Sequence, residues 1–591
     1  MDGQKQNSAS PLAIACPIPG QAGFDVVCIG GAGITAAVAA AARGARVALV
    51  AKDPAGYGDT RISMGNMAFP GLAQSDSPES FFADLRKSGE GLDDPELAWI
   101  MAENAPVATA ILEDFGHLFM RDGEGRLSEK VVGRTGGHSY ARTVTSGPAG
   151  GIPIGQVLRA AAARAGVTVL EETVACRILT ERVAGTGDTR VTGVVCFDLP
   201  GGEIFTIPAA AVVIATGGAG HLYYPHTDCT RGATGDGFAL AYEAGAELVD
   251  MEQVQFIPFA FTHPAAFMGL FCGEPAIAGP AGVLRNRDGR VILEGVSRMN
   301  RAEVVKIMAL ELAGGGGIVH GGLLLDLGPN RALPEGRELW RQMRDKGQLD
   351  LVRKAYGKAA YRWEEPWDVA PTAHYLMGGI RVNTRCESTV AGLFAAGQAM
   401  GGIHGGNRLG SVSLAELFVF GRVAGEAAAE RALGDRRAGG YQGFGRGWGF
   451  DQNAGDGWNR PGQRNKSAGG YRPIVLQREL QKEMWEHVGV IRQAAGLKNA
   501  LETIAVIENK AQNLYISPLK VYNTEILDAI ELGFMLITAR LIATAALWRQ
   551  ESRGAHFRLD FPDRDDRQYR QRVVIWQKEG RMQLREEKSP D

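Results

Sequence analysis

An α/β core, interrupted by one insertion and followed by a helical bundle, is the architecture this sequence predicts, on three observations. The first is a strand, glycine turn, helix and strand in immediate succession. Residues 24–29, FDVVCI, form an apolar run that enters Gly30-Gly31-Ala32-Gly33; an alanine-rich helix spans 36–43, Gly44 follows, and a second strand covers 46–50. The second is AAAVVIATGGAG over 209–220, a buried strand ending in another glycine turn. The third is helical periodicity over 473–550, carried by Leu476, Leu480, Met484, Val488 and Ile491.

Composition narrows the class. With 591 residues the chain is long enough for two to four domains. Hydrophobic residues at 45% and charged residues at 22% fit a folded soluble protein, and a formal charge of −3 gives no pull toward nucleic acid or an anionic membrane. Eighty glycines, clustered between apolar runs, imply a backbone that approaches a large ligand closely. The seven cysteines lie too far apart for a CxxC pair, so neither a metal site nor an iron–sulfur cluster is expected, and a reducing compartment is. The first 23 residues lack a basic start and an apolar centre and read as a leader, not a signal peptide. The most apolar stretch, 532–548, is broken by Arg540 and is too short to span a bilayer.

Each element has a physical reading. The turn at 30–33 lets a pyrophosphate sit against the first amides of a helix, as in a dinucleotide-binding unit. Its fingerprint reads as Gly31-x-Gly33-x-x-Ala36, or as the last two glycines of the motif with Cys28 at the first position. The acid usual at the end of the second strand is absent; Ala51 and Lys52 follow Val50. Residues 167–208 alternate like a small antiparallel meander. Thr234-Gly235-Asp236-Gly237 then opens a helix, with Asp236 either accepting hydroxyls of a ribose or ribitol chain or serving as a first-turn acid. From 250 to 365, short apolar segments, prolines and aromatics mark an inserted domain, with helices expected over 299–313 and 335–356. The boundaries drawn are a leader (1–23), a nucleotide-binding domain (24–250 and 366–430), the insertion (251–365), a linker (431–472), a helical domain (473–550) and a polar tail (551–591).

The stretch 392–425 carries the chemistry. A short strand, Leu393-Phe394-Ala395, leads into a glycine-rich loop bearing His404, Asn407 and Arg408, and a helix begins near Ser413. Donors on a nearly bare backbone beside a helix N-terminus suit an anionic ligand.

The motifs GGHSYART (136–143), ATGGAG (215–220), TGDG (234–237), MEQVQF (251–256), HYLMGGI (374–380), HGGNRLGSVSL (404–414) and ESRGAHFRLD (551–560) follow in that order. With them the chain resembles the flavoprotein subunits of succinate dehydrogenase and fumarate reductase, with L-aspartate oxidase as a relative. The resemblance implies an α/β FAD-binding domain (Rossmann-like, two-dinucleotide type), an inserted α+β capping domain and a C-terminal helical domain. It implies FAD contacts at Gly30, Gly31, Gly33, Lys52, Thr60, Gly65, Ala215, Thr216, Gly217, Asp236, Gln398, Ser413 and Leu414, where the residue matching Gln398 is usually glutamate. It implies hydride transfer between flavin N5 and a carbon next to a carboxylate. Arg301 falls on the proton-moving arginine, and His374 and Arg408 on the carboxylate-binding pair; His404, Glu274 and Ile257 complete the substrate-binding set. ESRGAH points to subunits that work in complexes, so an iron–sulfur or cytochrome subunit is the implied electron partner. A cytoplasmic protein is expected, without direct membrane insertion but with membrane association through such partners.

The chain departs from the family at four places. Asp59, in GDTRISMGN, stands where members with covalent flavin have histidine, which implies non-covalent FAD. Ile257, in QVQFIPF, replaces the histidine for the second carboxylate. CGEPAIAGPAG replaces the Thr-Glu pair and arginine–glycine run of the cap, leaving Glu274 to stand in for the acid, and Ala302 replaces the acid after Arg301. Losing a charged hydrogen bond at 257 removes roughly 1.5–3 kcal/mol, so plain succinate is not the expected substrate. His263, six residues on, is the alternative donor. An electron-relay subunit with a vestigial pocket is the second reading.

Overall fold

The computed structural model describes residues 23–437 and 470–589, apart from 128–132, 134, 184 and 186–187. The leader up to 22 and residues 438–469 of the expected linker lie outside the described residues, while 431–437 are the last turns of a helix.

The central sheet has seven strands organised around Glu203–Ile214. Its second half pairs parallel with Phe24–Ile29 on one side (Val213 opposite Cys28) and with Leu393–Ala395 on the other (Val213 opposite Phe394). Its first half pairs antiparallel with Thr189–Asp198, which pairs in turn with Thr173–Arg182. The meander expected over 167–208 therefore begins only at 173. Thr168–Leu170 runs parallel to Val47–Val50 and extends the sheet on the far side. Helix Ile34–Ala42 packs against helix Val412–Arg437 through Gly421 and Gly425; a Cβ at 425 would lie 2.1 Å from the Ala36 carbonyl. Only small residues allow that approach.

The insertion builds its own six-stranded sheet, in the order Phe271–Gly273, Val254–Phe261, Trp367–Leu376, Leu323–Asp326, Val283–Arg285, Val291–Leu293. Its central strand, 367–376, falls beyond the boundary drawn at 365. The helix expected over 299–313 begins at Arg301, because Asn300 caps it in a box with Glu303. That expected over 335–356 is two helices, Pro334–Asp345 and Asp350–Tyr361, separated at Gly347 with φ +71°.

Helices Pro473–Val488, Ala494–Ala511 and Thr524–Trp548 form the helical domain around Leu476, Leu480, Met484, Met535 and Ile542. The last has 25 residues, long and apolar enough to cross a membrane by length and composition, but 72% of its apolar window is buried inside the protein. Arg540 pairs with Glu508 on the neighbouring helix. The polar tail contains a hairpin, Gln571–Lys578 with Arg581–Lys588, which joins Leu248–Val249. Glu579 and Gly580 both take positive φ (+53° and +73°), as a two-residue hairpin turn requires. Arg572, Val573, Val574 and Ile575 are all buried, Arg572 against Asp250, so the first strand has no alternating pattern and the surrounding charge masks it.

Candidate active site at the glycine loop

The nucleotide end is made of backbone contacts. Gly30 has φ +100°, and a Cβ there would lie 2.3 Å from the carbonyl of Ala215, so the two glycine turns touch without side chains. Gly31–Gly33 makes one turn before the helix at Ile34, and Gly33 packs on Cys28, Leu49 and Ala215. Gly217 takes φ +76° in the second turn. Lys52, where an acid is usual, donates to Thr234 Oγ1 (2.8 Å) and Asp236 Oδ2 (2.9 Å) and pairs with Glu531 (2.9 Å). Burial pulls the Lys52 pKa down, but Asp236 and Glu531 prevail and raise it.

A second cradle lies between 56–65 and 146–155. A Cβ at Gly65 (φ +64°) would lie 2.6 Å from the Gly150 carbonyl, and one at Gly151 would lie 1.8 Å from the Thr60 carbonyl. Beyond it, Thr216 Oγ1 and Gln398 Nε2 are buried without hydrogen-bond partners. Ser413 and Leu414 sit in the first turn of Val412–Arg437. Bare backbone together with two orphaned polar groups fits a large dinucleotide such as FAD.

The other end is a knot of charge. Arg408 is 3% exposed and has no carboxylate at ion-pair distance among the described residues. Its NH1 donates to the Leu409 carbonyl (3.2 Å), its guanidinium lies 4.5 Å from the Tyr375 ring centre, and its Nε has no partner. Burial first, then repulsion from Arg301, pushes its pKa down to about 10, against the pull of Tyr375, Glu274 and Glu416.

Arg301, in contrast, is held on three sides. Its Nε donates to Glu274 Oε2 (2.7 Å), its NH2 pairs with Glu274 Oε1, and its NH1 donates to Gln255 Oε1 (2.9 Å). Burial raises the Glu274 pKa, but the Arg301 fork, with His374 and Arg408, brings it below the ordinary value. Gln255 also donates to Asn407 Oδ1 (2.9 Å) and the Arg408 carbonyl (3.0 Å), tying the cap to the glycine loop.

His374 sits on a β-bulge: Gln255 pairs with Tyr375 and Phe256 with Ala373, so the ladder skips it. Bulges re-aim side chains in this way. Its Nδ1 lies 2.9 Å from Asp228 Oδ2, which directs Nε2 elsewhere. Asp59 accepts from the Thr230 amide (2.7 Å); burial, with Asp228, raises its pKa against Thr230 and His374. Ile257 is fully buried, two residues from Gln255 and so on the same strand face.

His404 is engaged with a second acid. Its Nε2 lies 2.9 Å from Glu416 Oε2, which also accepts from Tyr375 Oη (2.5 Å). The loop itself is clamped: Gly406 O accepts from the Ala555 amide (2.8 Å), and Gly410 O lies 2.8 Å from His138 Nε2. ESRGAH thus braces the site loop. Arg301, Glu274, His374 and Arg408 come together in the fold. His263 is elsewhere, stacked on His320 at the far end of the cap strands, and so supplies no donor beside Ile257. Gln255, Asp228, Tyr375 and Glu416 were not singled out from the sequence. Gln255 and Tyr375 lie inside quoted motifs, whereas no periodicity marks Asp228.

Comparison with known proteins agrees with this geometry. The FAD binding domain family matches residues 25–414, and the fumarate reductase flavoprotein C-terminal family matches 477–589. One subunit of the fumarate reductase (CoM/CoB) of Methanothermobacter marburgensis is 34% identical over 508 residues, covering 84% of this chain and 86% of that protein. The fumarate reductase flavoprotein subunit of Escherichia coli is 32% identical over 571 residues, covering 92% and 90%. The solved E. coli quinol fumarate reductase flavoprotein superposes with a TM-score of 0.81 at 29% identity over 96% of each chain. The chain therefore belongs to the fumarate reductase and succinate dehydrogenase flavoprotein family, as an FAD-dependent oxidoreductase acting on carbon–carbon bonds.

Proposed function

We propose that this enzyme oxidises or reduces a carbon–carbon bond next to a carboxylate, on a substrate whose far end is apolar and not a second carboxylate. One observation carries the reading: Arg408 is a buried guanidinium with an orphaned Nε and no carboxylate partner among the described residues. A cation left so is costly unless an anion completes it. The substrate carboxylate is that anion, bound by Arg408 and by His374 Nε2, whose tautomer Asp228 fixes.

FAD, held non-covalently, supplies the hydride acceptor or donor. Arg408 clamps the charge that develops on the carboxylate side as the neighbouring carbon changes hybridisation. Arg301 moves the proton at that carbon, and Glu274 restores the arginine's proton through their two-pronged contact. Ile257, buried on the strand face that carries Gln255, offers no polar group to a second carboxylate. Electrons pass to or from a separate iron–sulfur or cytochrome subunit, in line with relatives that are themselves named as subunits.

The experiment is anaerobic reoxidation. The reduced protein is mixed with enoic mono- and dicarboxylates, aromatic ones included, while flavin absorbance is followed. The reading expects reoxidation by a monocarboxylate with an apolar substituent. Faster reoxidation by fumarate would overturn the substrate assignment. Apolar residues at Ile257, Ala278 and Ala302, where relatives carry polar ones, also favour a relay role; reoxidation by a copurifying redox subunit alone would establish that role instead.

A further inference from the structure

At the far end of the cap, three potential ligands converge from three neighbouring segments of one sheet. His263 follows the strand Val254–Phe261, Asp368 is the second residue of Trp367–Leu376, and His320 lies in the turn before Leu323–Asp326. One ligand atom from each lies within 4.8 Å of the other two. The imidazoles are stacked, with centres 4.0 Å apart at 28°.

Asp368 is what makes this a site and not a surface cluster. It is 5% exposed, and neither carboxylate oxygen has a well-formed hydrogen bond; the nearest ring nitrogen is His263 Nδ1, 3.3 Å from Oδ2. A buried carboxylate left in that state is expensive. Its direction is built in, because a Cβ at Gly322 would lie 2.1 Å from Oδ1, so the glycine makes room for it. Tyr356 braces the pocket: its hydroxyl donates to the Asp368 carbonyl (2.6 Å) and accepts from the Thr262 amide (3.2 Å), and its ring lies 4.7 Å from that of His263. The turn bearing His320 is closed by Ile318 N–H to Gly322 O and Gly321 N–H to Ile318 O, both 2.9 Å.

We propose that His263, His320 and Asp368 bind one first-row divalent cation of the zinc class, which ties three segments of the cap together. Two imidazoles and a carboxylate are a regular donor set for such an ion and leave a position for water. Tetrahedral coordination places donor atoms about 3.4 Å apart for metal–nitrogen bonds near 2.1 Å, a contraction within reach of the exposed His320 ring. The site is separate from the knot of charge, since the strand from Gln255 to Phe261 spans roughly 20 Å and His263 lies beyond that strand's end. Ligands at 263, 320 and 368 have no short spacing, which is why no metal motif was expected from the sequence.

The test uses the full-length, FAD-containing protein, stripped with a chelator and dialysed against Co²⁺ or Zn²⁺ alone. Bound metal is counted, and visible Co²⁺ bands are recorded to the red of the flavin. The proposal expects one equivalent per chain, with affinity falling at least about 100-fold in both His320→Ala and Asp368→Asn. The flavin spectrum should be unchanged in both variants, and His320→Ala, in an exposed turn, reports even if Asp368→Asn fails to fold. Substoichiometric binding, or binding that survives His320→Ala, would overturn it.

Discussion

Two buried arginines, Arg142 and Arg408, stand in opposite states. Arg142 is fully buried and answered by Asp76 (3.1 and 2.5 Å) and Asp84 (2.6 Å), with Ser80 alongside. The C-terminal cluster behaves the same way: Arg549 meets Glu252 and Glu551, and Arg553 meets Glu551. Arg408 is nearly as buried and has a carbonyl, an aromatic face and another arginine for company. The difference lies in how a buried cation is answered: Arg142, Arg549 and Arg553 meet carboxylates, Arg492 meets three backbone carbonyls and His556, and Arg408 meets a single carbonyl. Where compensation is missing, the charge is kept for something the chain itself does not supply.

Substitution should separate the two states most sharply. Arg408→Met should lower turnover about 100- to 1000-fold, the cost of removing one partner of a buried charge pair, while leaving the denaturant midpoint unchanged or higher. Arg142→Met should do the reverse. It strands Asp76 and Asp84 and should cost about 3–5 kcal/mol of stability, read as a lower midpoint, with a smaller effect on turnover in the protein that remains folded. Equal destabilisation by both would erase the distinction.

A smaller effect tests the link between Arg301 and its acid. Glu274→Gln should slow turnover about 10- to 100-fold and abolish the acid limb of the pH profile. The sign follows from the carboxylate being depressed: its charged pairing with Arg301 persists below the ordinary carboxylate range and is lost as pH falls through the lowered pKa. Ile257→His should improve fumarate turnover by about 10-fold, by returning a donor to that position. Smallest in ordinary buffers is the effect of pH on carboxylate affinity. Because Arg408 titrates near pH 10 without ligand, affinity should be flat below that value and fall as pH rises through it.

The glycine turns were legible in the sequence, because they obey local rules of close approach, and Arg301, His374 and Arg408, which the fold brings near one another, were singled out through motifs. The sequence did not disclose how they are held. Gln255 joins Arg301 to the glycine loop across 46 and 153 residues of chain, and Asp228 meets His374 across 146; no local period encodes such partners. The cap boundary failed for the same reason, since strand 367–376 is recognisable as cap only from its pairing with 254–261. The C-terminal hairpin was hidden because its first strand is buried on both faces and does not alternate, within a stretch rich in charge.

The central claim is that Arg408 remains unpaired in order to take the substrate carboxylate. The direct measurement is equilibrium binding of an enoic acid and of its neutral amide, followed by the perturbation of flavin absorbance, to wild type and to Arg408→Met. The acid should bind wild type about 100-fold more tightly than the amide, as loss of about 3 kcal/mol implies, and the variant should bind both alike. An acid that binds the variant as tightly as wild type would contradict the account.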